Sequence, residues 1–216
     1  MPKDFSLHNM VKDLFYIANP TFVHEWLFKI APLRPGLTML EPGCGAGKFG
    51  LAYSIRGVAA YMFDIDDEVV RYATRLKLAL GVLLARELAA TIYIGDLFQV
   101  RTDTAFKYDL VFAEGTAQHW TDERRQGCID RMAAWCKPGG IVAIAGNNGL
   151  LPHEQEADNS FRFTYQGMPP KRKCFSPTEL EERMEKAGLV DVRMEPLGGT
   201  WENAPLIGGD GRKVGV

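Results

Sequence analysis

The segment EPGCGAGKFG, from Glu41 to Gly50, restricts the fold more than any other part of the sequence. It follows a short apolar strand, Leu37 to Leu40, and leads into a predicted helix that ends near Gly57. Glycines at alternate positions let the backbone turn sharply and pass close to a ligand. The segment is therefore predicted to bind a ligand between a strand and a helix. A glycine-rich structural turn without a ligand is the alternative.

Strands and helices alternate along the rest of the chain. Apolar stretches predict five further strands, at Val58 to Phe63, Thr91 to Ile94, Tyr108 to Ala113, Ile141 to Ala145 and Leu189 to Met194. The segments between them show helical spacing, and two such helices begin at the N-cap residues Asp66 and Ser176. This order predicts an α/β fold with a doubly wound, mainly parallel sheet and helices on both faces. Ligands of such sheets bind beyond the carboxyl ends of the strands.

Composition and charge argue against several classes of function. The chain has 25 Lys and Arg against 27 Asp and Glu, so it lacks the basic surplus of nucleic-acid-binding proteins. The four cysteines have no zinc or disulfide spacing, and no stretch is typical of a signal peptide or a membrane span. A cytoplasmic protein with reduced thiols, no metal and no membrane contact is predicted. His8, His24 and His153 have no partner at metal-ligand spacing and are expected at the surface.

Acidic residues stand at the ends of three predicted strands. Glu41 and Asp64 close the first two, and Asp96 follows the third. A carboxylate at the position of Asp64 can accept hydrogen bonds from ribose hydroxyls, and one at Asp96 can accept from the exocyclic amine of adenine. Glu41 suits a cationic group, such as an ammonium or a sulfonium. The alternative for Asp64 is a turn residue at the end of a strand.

Two glycine motifs overlap in the segment. Gly43, Gly45 and Gly47 form G-x-G-x-G, whereas Gly45, Gly47 and Gly50 form the G-x-G-x-x-G of dinucleotide-binding proteins. The second motif predicts an NAD(P)-dependent oxidoreductase. It leaves Glu41 unexplained, because a carboxylate at that place would repel a pyrophosphate.

Taken together, these residues make the chain similar to the class I S-adenosylmethionine-dependent methyltransferase family, in the branch that methylates small molecules. Glu41 to Gly47 resembles the first motif of the family, and the similarity runs from about Leu37 to Met194. The resemblance implies a Rossmann-like, seven-stranded sheet. It also implies S-adenosylmethionine as cofactor, S-adenosylhomocysteine as product and a small-molecule acceptor. We expect a monomer or a homodimer.

The resemblance further implies which residues bind the cofactor. The methionine part is expected beside the glycine segment and the backbone that follows the fourth strand. The ribose and the adenine are expected beside the residues that follow the second and third strands. The predicted cofactor-binding residues are Glu41, Gly43, Cys44, Gly45, Gly47, Asp64, Ile65, Asp96, Leu97, Glu114 and Gly115.

Fewer features indicate the residues on the acceptor side. Many small-molecule methyltransferases have a histidine at a place similar to that of His119, and imidazole titrates near neutrality. His119 is therefore the candidate catalytic base and an acceptor contact, with a structural or pocket-lining role as the alternative. Tyr16, Trp120 and Asn147 are the other predicted acceptor-binding residues.

The chain is predicted to form a single methyltransferase domain over residues 1–216. Residues 1–36 are expected to be an N-terminal helical cap, and residues 37–145 the cofactor-binding core. Residues 146–175 are expected to be an insert or lid over the acceptor site, since long inserts in compact domains tend to be functional. Residues 176–216 are expected to add a helix and strands.

Two other functions are left open by the sequence. One is the oxidoreductase that the second glycine motif predicts. The other is a non-catalytic protein that binds S-adenosylmethionine, because methyl transfer needs few dedicated catalytic side chains.

Overall fold

A computed structural model describes residues 7–103, 105–150 and 174–215, without the side chains of Leu7 and His119. Its strands are β1 (Thr38–Pro42), β2 (Ala59–Asp64), β3 (Ala90–Ile94), β4 (Tyr108–Glu114), β5 (Cys136–Asn147), β6 (Leu189–Leu197) and β7 (Leu206–Lys213). Its α-helices are α1 (Leu7–Ala18), α2 (Phe22–Ile30), α3 (Lys48–Ser54), α4 (Asp67–Leu83), α5 (Asp122–Trp135) and α6 (Pro177–Lys186). A short 3-10 helix, Ala117–His119, precedes α5.

All seven strands belong to one sheet with the order β3-β2-β1-β4-β5-β7-β6. The pairs from β3 to β5 are parallel, whereas β7 runs antiparallel to both β5 and β6. The sheet is therefore mixed, and only its first five strands have the predicted parallel arrangement. The reversal follows from the short β6–β7 connection at residues 198–205, because a parallel neighbour would need a longer crossover.

Helices cover both faces of the sheet, as the sequence predicts. Met39 and Phe112 pack in a cluster with α2 and α3, and Met62 packs in a cluster with α1, α3 and α4. Val111 and Val142 point to the opposite face, where α5 and α6 cover them. Alternate strand residues thus bury two separate faces, which is the pattern of a sheet with no solvated side.

Two predicted helix starts are confirmed in atomic detail. The Asp66 carboxylate accepts hydrogen bonds from Glu68 N and Val69 N, at 3.0 and 3.4 Å. The Ser176 hydroxyl accepts one from Glu179 N at 3.1 Å, with Pro177 in the first turn. Each cap satisfies backbone donors that the first turn of a helix leaves without partners.

Two stretches differ from what their sequence indicates. Leu83 continues the apolar spacing of α4, yet it is 70% exposed, because the last turn of this helix extends past the buried stripe. Pro138, Gly139 and Gly140 are typical of a turn, but they lie within β5, where the register with β4 shifts: Tyr108 pairs with Cys136, and Leu110 pairs with Ile141. Within the described ranges, α4 is the longest helix with 17 residues, and none combines the length and apolarity needed to cross a bilayer.

His24 is also not at the surface as predicted. It lies at the third position of α2, where Nδ1 accepts a hydrogen bond from Thr21 N at 3.2 Å. Its ring centroid lies 4.5 Å from that of Phe49, and burial lowers the pKa of His24 to about 4. His24 is therefore a neutral capping residue. His8 is exposed as predicted, and His153 lies outside the described residues.

Candidate active site

The glycine segment forms the loop between β1 and α3. Gly43, Gly45 and Gly47 all have positive φ, of 66°, 54° and 68°, and Gly47 is the N-cap residue of α3. The amide of Cys44, a buried residue, donates to Phe63 O at 3.0 Å. The loop therefore turns across the end of β2 before the helix begins.

Asp64 connects this loop to the end of β2. Its Oδ2 accepts a hydrogen bond from Gly45 N at 2.9 Å, and its Oδ1 accepts one from Asp66 N at 3.0 Å. These two hydrogen bonds show that Asp64 does act as a turn residue at the end of its strand. A carboxylate has about four acceptor positions, however, and this one is half-exposed. Acceptor capacity therefore remains for a ligand, next to Ile65, which is 39% exposed.

Glu41 lies at the end of β1 on the face that α3 covers. Only 3% of the residue is exposed, and its Oε2 accepts a hydrogen bond from Gly50 N at 2.7 Å. A Cβ at Gly50 would lie 2.9 Å from that oxygen, so glycine is what allows the close approach. Burial raises the pKa of Glu41 to about 8, and the charges of Glu114 and Asp64 add to the rise. The carboxyl therefore holds its proton at neutral pH until a cation approaches.

The third acidic residue lies one strand further out. Asp96 follows β3, is half-exposed, and accepts a hydrogen bond from Phe98 N through Oδ1 at 2.8 Å. Leu97 is buried, and the Arg131 guanidinium donates to its carbonyl oxygen. Because β1, β2 and β3 are consecutive in the sheet, Glu41, Asp64 and Asp96 follow one another along a single edge.

The loop after β4 contacts the glycine loop. Glu114 is exposed at the end of β4, and Gly115, with a φ of 71°, donates its amide proton to Ala145 O at 2.9 Å. The Thr116 hydroxyl lies 3.3 Å from Pro42 O. Thr116 was not among the predicted site residues, although it directly follows two of them, Glu114 and Gly115.

The predicted acceptor-side residues fall into two groups. Trp120 is buried with its ring perpendicular to that of Phe98 at 5.0 Å, and Asn147 is half-buried at the end of β5. Tyr16 lies instead on α1, where its ring centroid is 5.7 Å from Lys48 Nζ at the start of α3. The backbone of His119 belongs to the 3-10 helix after β4, and its side chain lies outside the described residues.

A comparison with protein families identifies the family of the chain. The family described as "Methyltransferase domain" matches residues 16–193, which is most of the chain. The chain belongs to this family. The match confirms the sequence prediction of a methyltransferase. No curated protein sequence matches the chain.

Solved structures of other methyltransferases share the fold. The magnesium protoporphyrin IX methyltransferase (ChlM) of Synechocystis PCC 6803, solved with bound SAM, is 18% identical with a TM-score of 0.63, covering 94% of this chain and 80% of that one. The CcbJ methyltransferase of Streptomyces caelestis is 16% identical with a TM-score of 0.67, covering 92% of each chain. A TehB-like SAM-dependent methyltransferase of Corynebacterium glutamicum is 16% identical with a TM-score of 0.62, covering 95% and 97%.

Gly43→Ala should destabilise the methyltransferase more than Gly45→Ala does. Both positions have positive φ, but a Cβ at Gly43 would lie 2.6 Å from Thr116 Oγ1, whereas a Cβ at Gly45 meets no protein atom within 4 Å. We expect denaturant unfolding to give a loss of about 2–4 kcal/mol for Gly43→Ala and about 1 kcal/mol for Gly45→Ala. Thr116→Ala in the Gly43→Ala background should restore part of the loss. Equal losses in the two single variants would contradict the clash.

Glu41→Gln should change how the free energy of unfolding depends on pH. The folded protein holds the Glu41 proton up to a pKa of about 8, whereas the unfolded chain releases it near the ordinary glutamate pKa of 4.5. Between these values the folded state binds more protons, so wild-type stability falls as pH rises, by at most about 1.4 kcal/mol per pH unit. The glutamine variant stays neutral, so it should become more stable than wild type towards pH 8. Parallel stability curves from pH 5 to 8 would show that Glu41 is ionised throughout.

Proposed function

We propose that the chain binds S-adenosylmethionine along the carboxyl ends of β1 to β4 and transfers its methyl group to a small-molecule acceptor. The observation that supports this best is the hydrogen bond from Gly45 N to Asp64. It fixes a positive-φ glycine loop beside a half-exposed carboxylate at the next strand end. A loop held in this way would present its backbone to a ligand with constant geometry.

The described residues fit this cofactor. A Cβ at Gly45 would enter open space, so the loop leaves room directly above its backbone. Asp64 would accept hydrogen bonds from the ribose hydroxyls, and the exposed Ile65 side chain would lie against the adenine. Asp96 and the backbone of Leu97 would contact the outer edge of that ring. The order of these residues along β1, β2 and β3 matches a ligand extended across three strands.

When bound, S-adenosylmethionine supplies a methyl group on a positively charged sulfur. The ammonium of the methionine part would lie beside Glu41. Its positive charge would favour loss of the Glu41 proton and would then pair with the carboxylate. The backbone of Glu114 and Gly115 would line the same part of the ligand. The protein therefore contributes mainly alignment and the exclusion of water, which can supply a large part of the rate of a bimolecular displacement.

A small-molecule acceptor is supported by charge and by the surroundings of the site. The formal net charge of −2 and the acidic residues at the strand ends would repel a nucleic-acid backbone. Two structural neighbours are also linked to small-molecule chemistry: one is the magnesium protoporphyrin IX methyltransferase (ChlM), and another takes part in echinomycin biosynthesis. We infer that residues 37–145 form the cofactor-binding core and that residues 1–36 cap it.

The segment at residues 146–175 is proposed to cover the acceptor side. The amide of Gly149 donates to Phe175 O at 2.8 Å, and Asn148 and Phe175 form a parallel bridge. The segment therefore departs from and returns to the same point at the carboxyl end of β5. Residues 151–173, which include most of the proposed lid, lie outside the described residues.

Asp64→Ala should weaken cofactor binding by roughly 1–3 kcal/mol, because hydrogen bonds to the ribose and the support of Gly45 N are both lost. Calorimetric titration with S-adenosylmethionine, S-adenosylhomocysteine and NADH measures the effect and also tests the oxidoreductase alternative. Asp67→Ala is the matched control, because Asp67 lies in the first turn of α4 and forms an exposed ion pair with Arg71 at 2.7 Å. Tight NADH binding by the wild type without binding of the adenosyl compounds would reject the methyltransferase cofactor.

His119 is proposed as the general base for an acceptor that loses a proton. His119→Ala should then lower kcat by about 10²–10⁴-fold while the dissociation constant for S-adenosylmethionine stays unchanged. The measurement is labelled methyl transfer to an acceptor found by screening a metabolite panel, followed by its pH profile. Catalysis by a histidine base predicts that kcat rises with pH as the imidazole loses its proton, and the variant should lack this rise. An unchanged kcat would leave His119 as a pocket-lining residue.

A further inference from the structure

Gln118 has a buried side chain at the point where β4 and β5 end. Only 3% of the residue is exposed, and its Oε1 accepts a hydrogen bond from Asn147 N at 3.1 Å. A Cβ at Gly146 would lie 3.3 Å from Oε1, and a Cβ at Gly115 would lie 3.4 Å from Nε2. The side-chain amide therefore spans the space between the ends of β4 and β5, with Gly115 on one side and Gly146 on the other.

The hydrogen bond from Asn147 N fixes which way this amide points. Because an N–H group must meet an acceptor, Oε1 faces Asn147 and Nε2 faces Gly115. Nε2 offers two N–H donors. Within the described part of the chain, neither donor meets an acceptor in hydrogen-bonding geometry. Both donors are therefore available to a bound molecule.

The position of Gln118 separates it from the proposed cofactor residues. Most of those residues follow β1, β2 and β3, and the last of them, Glu114 and Gly115, lie at the end of β4, whereas Gln118 lies beyond them, between β4 and β5. Neighbouring strands are about 4.8 Å apart, so the amide lies beyond the methionine end of a ligand that extends from β3 to β4. A methyl acceptor on this side of the cofactor would meet the amide.

We propose that Gln118 donates a hydrogen bond to an oxygen atom of the methyl acceptor and thereby selects the acceptor. The proposal rests on the proposed function, because it takes the cofactor position from it. An ammonium group presents only donors and would oppose the Nε2 donors. Glu114, exposed at the end of β4, disfavours an anionic oxygen at the same place. The acceptor class is therefore a small molecule with a neutral hydroxyl or carbonyl oxygen.

The test uses the full chain, labelled with ¹⁵N and saturated with S-adenosylhomocysteine. The side-chain amide signal of Gln118 is assigned by its absence in Gln118→Glu. Benzamide and phenol, which contain a neutral oxygen, should shift this signal, whereas benzylamine at the same concentration should not. Gln118→Glu keeps an oxygen for Asn147 N but loses the donors. It should therefore weaken benzamide binding at least tenfold and leave the affinity for S-adenosylhomocysteine within twofold.

Gln99→Glu, an exposed position, is the control for the added charge and should bind benzamide like the wild type. The proposal is overturned if S-adenosylhomocysteine binds but neither oxygen-containing probe shifts the Gln118 signal. It is equally overturned if Gln118→Glu binds benzamide as tightly as the wild type. If S-adenosylhomocysteine itself does not bind, the proposed function fails first, and the two failures are thus distinguished.

Discussion

The hydrogen bond between Gly45 N and the Asp64 carboxylate is the constraint from which the rest of the site follows. A loop with positive φ at Gly43, Gly45 and Gly47 has few internal bonds of its own, so its shape must be imposed by a neighbour. Asp64 imposes this shape, because the parallel pairing of β1 with β2 brings the end of β2 beside the loop. The same carboxylate binds Asp66 N and so fixes the start of α4. Loop, strand end and helix therefore form one unit.

The burial of Glu41 costs this unit free energy of folding. A fully buried carboxyl with a pKa raised to about 8 contributes nothing to folding that a neutral side chain could not. Gly50 has no side chain that would block the Glu41 carboxyl, and the hydrogen bond from its amide partly offsets the desolvation of that carboxyl. Groups with strongly perturbed pKa values are concentrated at functional sites. The cost is consistent with a residue kept for a positively charged ligand.

Local patterns in the sequence predicted much of this structure, and long-range packing decided the rest. Asp66 and Ser176 were predictable as helix caps because a cap depends on residues two or three positions away. The burial of His24 depends on Phe49, which is distant in sequence, and no local pattern indicates it. The direction of β7 likewise depends on pairing with β5 and β6. The strand-end acids were found from spacing, whereas Gln118 required the contact with Asn147.

The two sides of the site are held by different kinds of interaction. The cofactor side depends on backbone conformation and on carboxylates at strand ends. On the acceptor side, the fully buried Arg125 donates to Trp120 O at 3.2 Å, binds Glu179 at 3.2 Å, and lies 4.8 Å from the ring centroid of Phe175. This guanidinium links the loop after β4, α6 and the point where residues 151–173 rejoin the fold. A buried guanidinium with these partners is difficult to replace, because removing either member of the pair leaves the other charge without compensation. The proposed acceptor side is therefore fixed by one buried cation, whereas the proposed cofactor side is fixed by backbone conformation and the Asp64 carboxylate.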